Sequence, residues 1–456
     1  MTTTKFDPAL RNTSVVVALG AIMTLIDSTI VNVAVHVLGR DLGAPLATIQ
    51  WVLTGYLLAL SMTVPVTGWA IGRYGAKLVW ITALSLFLAG SVLCGAAWSP
   101  GSLILFRVLQ GVGGGLLVPV AQTMLARQAG PQRMARAMAV VSIPAMLAPA
   151  LGPILGGLLL DHLSWRWMFL INVPVCAAAL LAAVRLLPPE TGERERTDLD
   201  VAGLALLSPA AALLVYGRVA TLLAGVALLV AFVGHALRRR ERALIDLRLF
   251  TDRPMTIAVS VLFCYSLAMS GVLLLIPLYA QAVGGRGVLG AGLLVAPLGA
   301  GAIVTMALAG RIADRFGSRR PALAGIVLVL AGMLPWTRVD AGAGWPLLIG
   351  AAFVMGLGHG AVTPAVLAGA YRSLPKPAIP HATVASTILI RTGAALGAAV
   401  ISLVLQSLLR TALPASAFAH GFGWALGITA LALLPALLIR DLPGRDAAGR
   451  AHPRDS

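Results

Sequence analysis

Charge is what this chain has least of. Only 11% of its 456 residues are Asp, Glu, Lys or Arg, while 59% are hydrophobic; a soluble domain carries about 25% charged residues. Mean hydropathy is +0.91. A soluble protein of this size has nowhere to bury so much apolar surface, so that class is excluded. Cysteine is nearly absent too: Cys94, Cys176 and Cys264 stand singly in three different apolar stretches. No CxxC and no Cys/His cluster exists, which argues against a metal site or a redox pair and leaves small packing residues. No segment alternates apolar and polar residues as a barrel strand must. No small-residue cleavage site follows the first apolar block, so that block reads as an uncleaved span and not as a removable signal.

What the chain does have is apolar blocks of bilayer-spanning length. Cutting at charged or Gly/Pro-rich loops places them near 13–37, 47–71, 78–98, 102–126, 137–160, 167–187, 201–217 and 219–237. They continue near 254–282, 288–310, 321–337, 345–370, 382–409 and 421–439, which makes fourteen. The expected class is an all-α polytopic membrane protein. The most polar connection, 188–200, and the most basic, 238–253, bracket the two shortest neighbouring spans, joined at Gly217-Arg218. The expected layout is therefore a six-span part at 1–187, a linker with two extra spans at 188–253, six more spans at 254–441, and a tail at 442–456.

The net charge of +17 would suggest nucleic acid in a soluble chain. Here the basic residues sit in short loops, where they set orientation. With the N-terminus cytoplasmic, 26 of the 34 Lys and Arg fall in inner loops and six in outer ones. That bias predicts a multi-pass protein of the cell membrane with both termini cytoplasmic. The remaining two, Arg107 and Arg391, lie inside apolar blocks.

Of 17 acidic residues only Asp27 lies well inside a span. An ionisable group there is a functional-site hypothesis by default, because it is expensive to keep. A carboxylate in low-dielectric surroundings exchanges its proton nearer neutral pH than an exposed one. Proton coupling is the functional reading of Asp27; a structural Asp bonded to Thr29, Asn32 or backbone is the alternative. Arg107 is the natural partner. At ~1.5 Å per residue Asp27 lies roughly 21 Å and Arg107 roughly 22 Å above the inner face. The alternative for Arg107 is snorkelling to the outer interface.

The fifth block carries Pro144, Pro149 and Pro153 with Gly152, Gly156 and Gly157. Gly152-xxx-Gly156 permits close helix approach and the prolines favour bending, which suits either a rocking element or plain close packing. His359 stands between two glycines and reads either as a second titrating site or as a packed neutral histidine. Asn32, Gln122, Tyr279, Gln281 and His359 are candidates to line a polar cavity. The stretch Gly68-Trp-Ala-Ile-Gly-Arg73-Tyr-Gly75-Ala-Lys77 is weakly repeated as Gly310-Arg-Ile-Ala-Asp314-Arg315-Phe-Gly317-Ser-Arg319. Parallel six-span halves of this kind are a known transporter architecture. No P-loop and no soluble stretch long enough for an ATPase occur, so uphill movement would draw on an ion gradient.

At this point the chain resembles a known family. Leu25-Ile-Asp27-Ser-Thr29-Ile-Val-Asn32-Val-Ala34 looks like the first-helix motif of fourteen-helix drug:proton antiporters, the EmrB/QacA type of the major facilitator superfamily. Arg107-xx-Gln110-Gly111 is similar to that superfamily's fourth-helix motif, and Pro149-Ala-Leu-Gly152-Pro153-Ile-Leu-Gly156-Gly157 to its fifth-helix antiporter motif. Trp165-Arg166-Trp167-xxxx-Asn172-Val-Pro174 resembles a stretch of the fourteen-helix branch. Pro277-Leu-Tyr279-Ala-Gln281 and Arg391-Thr-Gly393-xxx-Gly397 match later patterns.

The resemblance implies a major facilitator fold of two six-helix halves plus the inserted hairpin. It implies drug efflux driven by protons, with Asp27 as carrier, Arg107 in support and the halves rocking to alternate access. Arg73, Gly75, Gly152, Pro153, Gly156, Gly157, Asp314, Arg315 and Gly317 would be the conformational motifs. The chain departs from the pattern at Gly72, where the family has an acid that latches the outward-open state. It also lacks the acid that some relatives carry in the tenth span. The expected cargo is a hydrophobic, neutral or monocationic drug, antibiotic or secondary metabolite. No cofactor, metal or nucleic acid is expected; the partners are cargo, protons and the lipid bilayer, and a monomer suffices. Proton-coupled uptake of a metabolite is the alternative direction. A membrane-embedded enzyme or receptor is a remote second class, because no convergent catalytic set and no sensory domain are visible.

Overall fold

In the computed structural model the described residues are 8–188, 198–216, 219–239, 243–245, 247–285, 288–339, 344–372, 374–375 and 378–439. All regular structure among them is helical. The helices are α1 (Pro8–Ile30), α2 (Val35–Asp41), α3 (Leu46–Thr63), α4 (Thr67–Tyr74), α5 (Ala76–Gly95), α6 (Pro100–His162), α7 (Trp167–Leu170) and α8 (Asn172–Leu186). After them come α9 (Val201–Tyr216), α10 (Val219–Arg239), α11 (Arg253–Ala282), α12 (Val288–Phe316), α13 (Arg319–Met333) and α14 (Trp345–Arg372). The chain closes with α15 (Ile379–Leu409), α16 (Pro414–Leu431) and α17 (Leu433–Leu437). Among the described residues, eleven helical stretches are long and apolar enough to cross a bilayer, and the apolar helices Val201–Leu214 and Gly290–Met306 are shorter.

Local chemistry explains several boundaries. Ser99 starts α6: its Oγ accepts from the Ser102 amide at 3.1 Å while Ser102 Oγ accepts from the Ser99 amide at 3.0 Å, with Pro100 as the first helical residue. This reciprocal pair satisfies two donors that a helix start leaves open. Asp252 likewise accepts from the Met255 amide to start α11. Lys77 Nζ donates to the carbonyls of Leu187, at 2.6 Å, and Val184, at 3.4 Å, at the end of α8, where a cation meets the carbonyls no helix turn can use. Gly75 after α4 and Gly317 after α12 have φ of +87° and +76°, a region that glycine enters without steric cost. Each stands seven residues beyond the glycine that opens its copy of the repeated stretch, so the repeat has a matching backbone turn.

Two expectations need correction. The spans near 13–37 and 47–71 are not single helices: tight turns at Val31–Ala34 and Val64–Val66 interrupt them, the second at Pro65. The blocks near 102–126 and 137–160 have no non-helical residue between them, since α6 runs from Pro100 to His162. A straight helix of that length would measure about 95 Å, three times a bilayer core. It is not straight. Gly114 lies against Thr24 and Gly152 against Thr29, so residues 38 apart on α6 touch positions five apart on α1. The chain must double back between them, where the sequence holds Gly130-Pro131 and a proline breaks the helical ladder.

Around this folded-back element α1, α3, α5 and α8 pack as one group, while α11 to α16 form a second, with α14 against both α12 and α13 and α15 against α11. The groups meet where α12, α14 and α15 lie on α6, and where α15 touches α4. At that last contact a Cβ on Gly68 would lie 3.3 Å from His381 Nδ1. The α9–α10 hairpin leans on α3 and α15 through α9. Large apolar side chains such as Val184, Leu223, Leu293, Leu347 and Leu434 are exposed around the outside, the surface expected of a protein whose solvent is lipid. The acidic run from Glu190 to Glu195, the Gly217-Arg218 connection and the tail from 442 lie outside the described residues, as do the side chains of Pro144, Pro149, Pro153, Asp314 and Arg315.

Candidate functional site

α1 brings Asp27, fully buried, into the space between α3, α5, α6 and α8. Arg107, on the first limb of α6, points Nη1 at Asp27 Oδ2 from 2.5 Å. The same Nη1 donates to Gln110 Oε1 at 2.6 Å, and Nε donates to the Val52 carbonyl of α3 at 3.2 Å. The guanidinium lies 3.9 Å from the centre of the Tyr56 ring, a cation–π contact out of water. Asp27 Oδ1 accepts from Gln110 Nε2 and from Asn172 Nδ2, both at 2.9 Å. Ser91 Oγ accepts from the same two amides, at 2.7 and 3.2 Å.

This is the arrangement in which a membrane-buried ion pair survives: opposite charges in contact, with neutral donors on the remaining lone pairs. Both carboxylate oxygens are occupied. Two atoms in it are not: Arg107 Nη2 and Asn172 Oδ1 are buried with no hydrogen-bond partner. Close packing holds the cluster in place. A Cβ at Gly90 would lie 2.6 Å from Gln110 Cβ, so a glycine on α5 is what admits that amide. Tyr56 is anchored in turn by its hydroxyl, which donates to the Thr24 carbonyl at 3.3 Å.

Asp27 and Arg107 thus meet, at the common depth their sequence positions suggested. The groups considered as structural partners for Asp27 lie elsewhere. Asn32 is exposed in the turn after α1, and the Thr29 hydroxyl donates to the Ile26 carbonyl at 3.0 Å. Gln110 and Asn172 stood within motifs quoted from the sequence but, like Ser91 and Tyr56, were not named there as site residues. For Ser91 and Tyr56 the signal available was a polar side chain inside an apolar block.

The remaining candidates do not gather in one cavity. Tyr279 is buried, with its ring edge-on to those of Trp336 and Phe418. Gln281 is exposed and donates to its own helix at Pro277, and Gln122 is half-buried on α6. His359 of α14 stacks on Tyr265 of α11, whose hydroxyl is 2.8 Å from Nδ1. Gly152 and Gly156 both face α1, at Thr29 and Ile30, whereas a Cβ on Gly157 would meet nothing. Arg73 is exposed at the end of α4. Arg391 of α15 is half-buried and feels the Tyr56 hydroxyl electrostatically.

Comparison with known proteins agrees with this architecture. The chain matches the family described as Major Facilitator Superfamily over residues 17–398 and again over 258–454. It is 36% identical over 417 residues to a protein of Mycobacterium tuberculosis named multidrug resistance protein B homolog, covering 88% of this chain and 77% of that one. Its fold superposes on the human organic anion transporter MFSD10 with a TM-score of 0.71 at 18% identity, over 95% of this chain and all of the other. It superposes on the proton:xylose symporter XylE with a TM-score of 0.64 at 17% identity, over 94% and 95% of the two chains. With an all-helical polytopic fold and a family match across most of its length, the chain belongs to the major facilitator superfamily.

Proposed function

We propose that this transporter is a proton-driven exporter of hydrophobic compounds, with Asp27 as the proton carrier and Arg107 as its partner. The observation that carries the reading is Asp27, the one acid that the sequence sets well inside a span, fully buried and held by one guanidinium and two amides. A proton on Asp27 would cancel the charge that balances Arg107. Arg107, Gln110 and Asn172 would then re-pair, and a network with two arrangements is what coupling between sites requires. The relative named multidrug resistance protein B homolog supports drugs as cargo; antibiotics and secondary metabolites of the same hydrophobic character belong to the proposed range.

The layout we infer is the fourteen-span EmrB/QacA type. Eleven long spans, two shorter apolar helices and the second limb of α6 would supply the crossings. The two helix groups would be the rocking halves, 1–187 and 254–441, with α9 and α10 inserted between them and both termini cytoplasmic. The proximity of Gly68 and His381 would then lie at the inner face, closed in this conformation. A neutral or monocationic cargo, as expected from sequence, presumes that the charge of Asp27 is open to it. In the folded chain that charge is spent on Arg107.

Direction and coupling are tested together in inverted membrane vesicles energised by a proton gradient, with the lipophilic dye Hoechst 33342. An exporter should accumulate dye in the lumen and release protons as it does so. Proton-coupled uptake would drive dye the other way. Asp27→Asn should abolish proton-linked movement while keeping dye-for-dye exchange, since Asn retains the shape and loses the titration. Full proton-linked transport by that variant would remove Asp27 from the mechanism.

A further inference from the structure

A cavity of about 140 Å³ opens at one end of the second helix group, and no member of the Asp27 cluster lines it. Two guanidiniums stand at it. Arg253, the first residue of α11, is exposed, and Arg372, the last of α14, is half-buried. Ser318, buried just before α13, adds a hydroxyl. Gly369 of α14 makes room for it, since a Cβ there would lie 3.1 Å from Ser318 Oγ. The walls are apolar: Ile257 of α11, Val366 of α14, and Leu438 and Ile439 after α17. Among the described lining residues there is no acid. Asp252, beside Arg253 in the chain, turns to its own helix and accepts from the Met255 amide at 3.2 Å.

Size and position narrow the ligand. A dry apolar cavity of ~150 Å³ takes one benzene, so this one has room for about six carbons. A whole drug-sized molecule needs ~300–1,000 Å³ and does not fit. Both cations stand at the ends of bilayer-spanning helices, where a span leaves the hydrocarbon for the headgroups. Leu434, Leu437 and Leu438 beside the opening are each more than half exposed, an apolar ridge turned to lipid. A free phosphate would leave walls and ridge unused. A phospholipid uses both, with its phosphate on the guanidiniums, the first carbons of one chain in the cavity and the rest along the ridge. Neither cation has to be otherwise unpaired, because a guanidinium carries five donors and can serve a phosphate beside another partner.

We propose that Arg253 and Arg372 bind the phosphate of one anionic phospholipid, and that the cavity between α11, α14 and α17 takes the start of one of its acyl chains. With both termini cytoplasmic, the site opens to the cytoplasmic leaflet, whose anionic lipids are drawn to basic pockets between helix ends. The bound lipid would tie the start of α11 to the end of α14. The site goes beyond the exporter reading and needs neither a direction of transport nor a proton.

The test is native mass spectrometry of the full-length protein in detergent, titrated with palmitoyl-oleoyl phosphatidylglycerol and with phosphatidylcholine of the same chains. The wild type should prefer the anionic lipid by about 25-fold, at about fivefold for each cation. Arg253→Gln should cut that preference about fivefold, and Arg372→Gln added to it should erase the rest by weakening phosphatidylglycerol alone. Should the double variant fail to fold, Arg253→Gln at its exposed position still carries the charge arm. Ile257→Trp fills the cavity, keeps both charges and should weaken both lipids. Arg185→Gln removes a like charge from the exposed end of α8 and should change nothing. No preference in the wild type, or equal losses in Arg185→Gln and Arg253→Gln, would overturn the site in favour of diffuse surface charge. Undiminished binding by Ile257→Trp would remove the acyl chain from the cavity. Displacement of the lipid by glycerol 3-phosphate would make the ligand a soluble phosphate and overturn the lipid. Binding is read without transport, so this site and the exporter reading fail separately.

Discussion

At the scale of single residues, Asp27 and Arg107 were legible because charge is so scarce. A lone acid and a lone base at one depth announce each other, and the structure places them in contact. Gln110 and Asn172 were not legible as their partners. Neutral amides within spans are unremarkable, and whether two of them converge on one carboxylate depends on helix rotation, which no spacing reveals. Removing one member of the Asp27 cluster leaves the others without compensation. Arg107→Ala should therefore destabilise the protein by about 3–5 kcal/mol, read as a lowered unfolding midpoint by tryptophan fluorescence. Asp27→Asn added to it should recover part of that loss, because the stranded charge goes too. Strictly additive effects would mean the pair contributes no coupling. Arg107→Lys should rescue poorly, since one ammonium cannot reach Asp27, Gln110 and the Val52 carbonyl with the planar fork they require.

Among elements, apolar blocks located the helices well and their interruptions badly. Turns such as Val31–Ala34 keep the same composition as the helix around them, so hydropathy passes over them. The reversal within α6 escaped in the opposite way: a polar loop was expected, and the backbone stays helical into the bend. The hairpin is tied down by a feature composition could not show. Asp200, immediately before α9, accepts from the amides of Gly203 and Leu244, and His235 Nε2 of α10 lies 2.9 and 3.0 Å from its two oxygens. Burial alone would raise the pKa of this carboxyl, but those hydrogen bonds outweigh it and the net shift is downward. A lowered carboxyl pKa contributes stability above the unfolded value, near 3.9, and loses it as pH falls through the folded one. Asp200→Ala should cost about 1–3 kcal/mol at neutral pH, from the amides it orphans. The gap between variant and wild-type unfolding midpoints should narrow below roughly pH 4; a gap independent of pH would show the carboxylate charge to be irrelevant. Where α4 meets α15, Gly68→Leu would push a side chain into the space of His381. Double spin-label distances across that contact should lengthen, and an unchanged distribution would mean that the two groups do not close there.

For the molecule as a whole, the all-helical membrane class followed from composition and block length and the major facilitator fold from the resemblance of the motifs, and the weak repeat gained support from the matched turns at Gly75 and Gly317. Sequence said less about where charge sits across the assembled bundle, because that is a sum over helices far apart in the chain. The one carboxylate that the sequence sets well inside a span has a consequence for the energy source. Exchanging an outgoing neutral cargo for one proton on Asp27 would carry one positive charge inward in each cycle, and that charge draws about 2.3 kcal/mol from a membrane voltage of 100 mV. At ~1.4 kcal/mol per tenfold this would hold a concentration ratio of about fortyfold with no pH difference. In proteoliposomes clamped with potassium and valinomycin, the gradient of a neutral dye should rise with voltage in the wild type and not in Asp27→Asn. Equal slopes in the two would mean that Asp27 does not carry the charge. A single buried acid would thus make this carrier a device run by voltage as well as by pH, able to work in a cell whose pH gradient has collapsed.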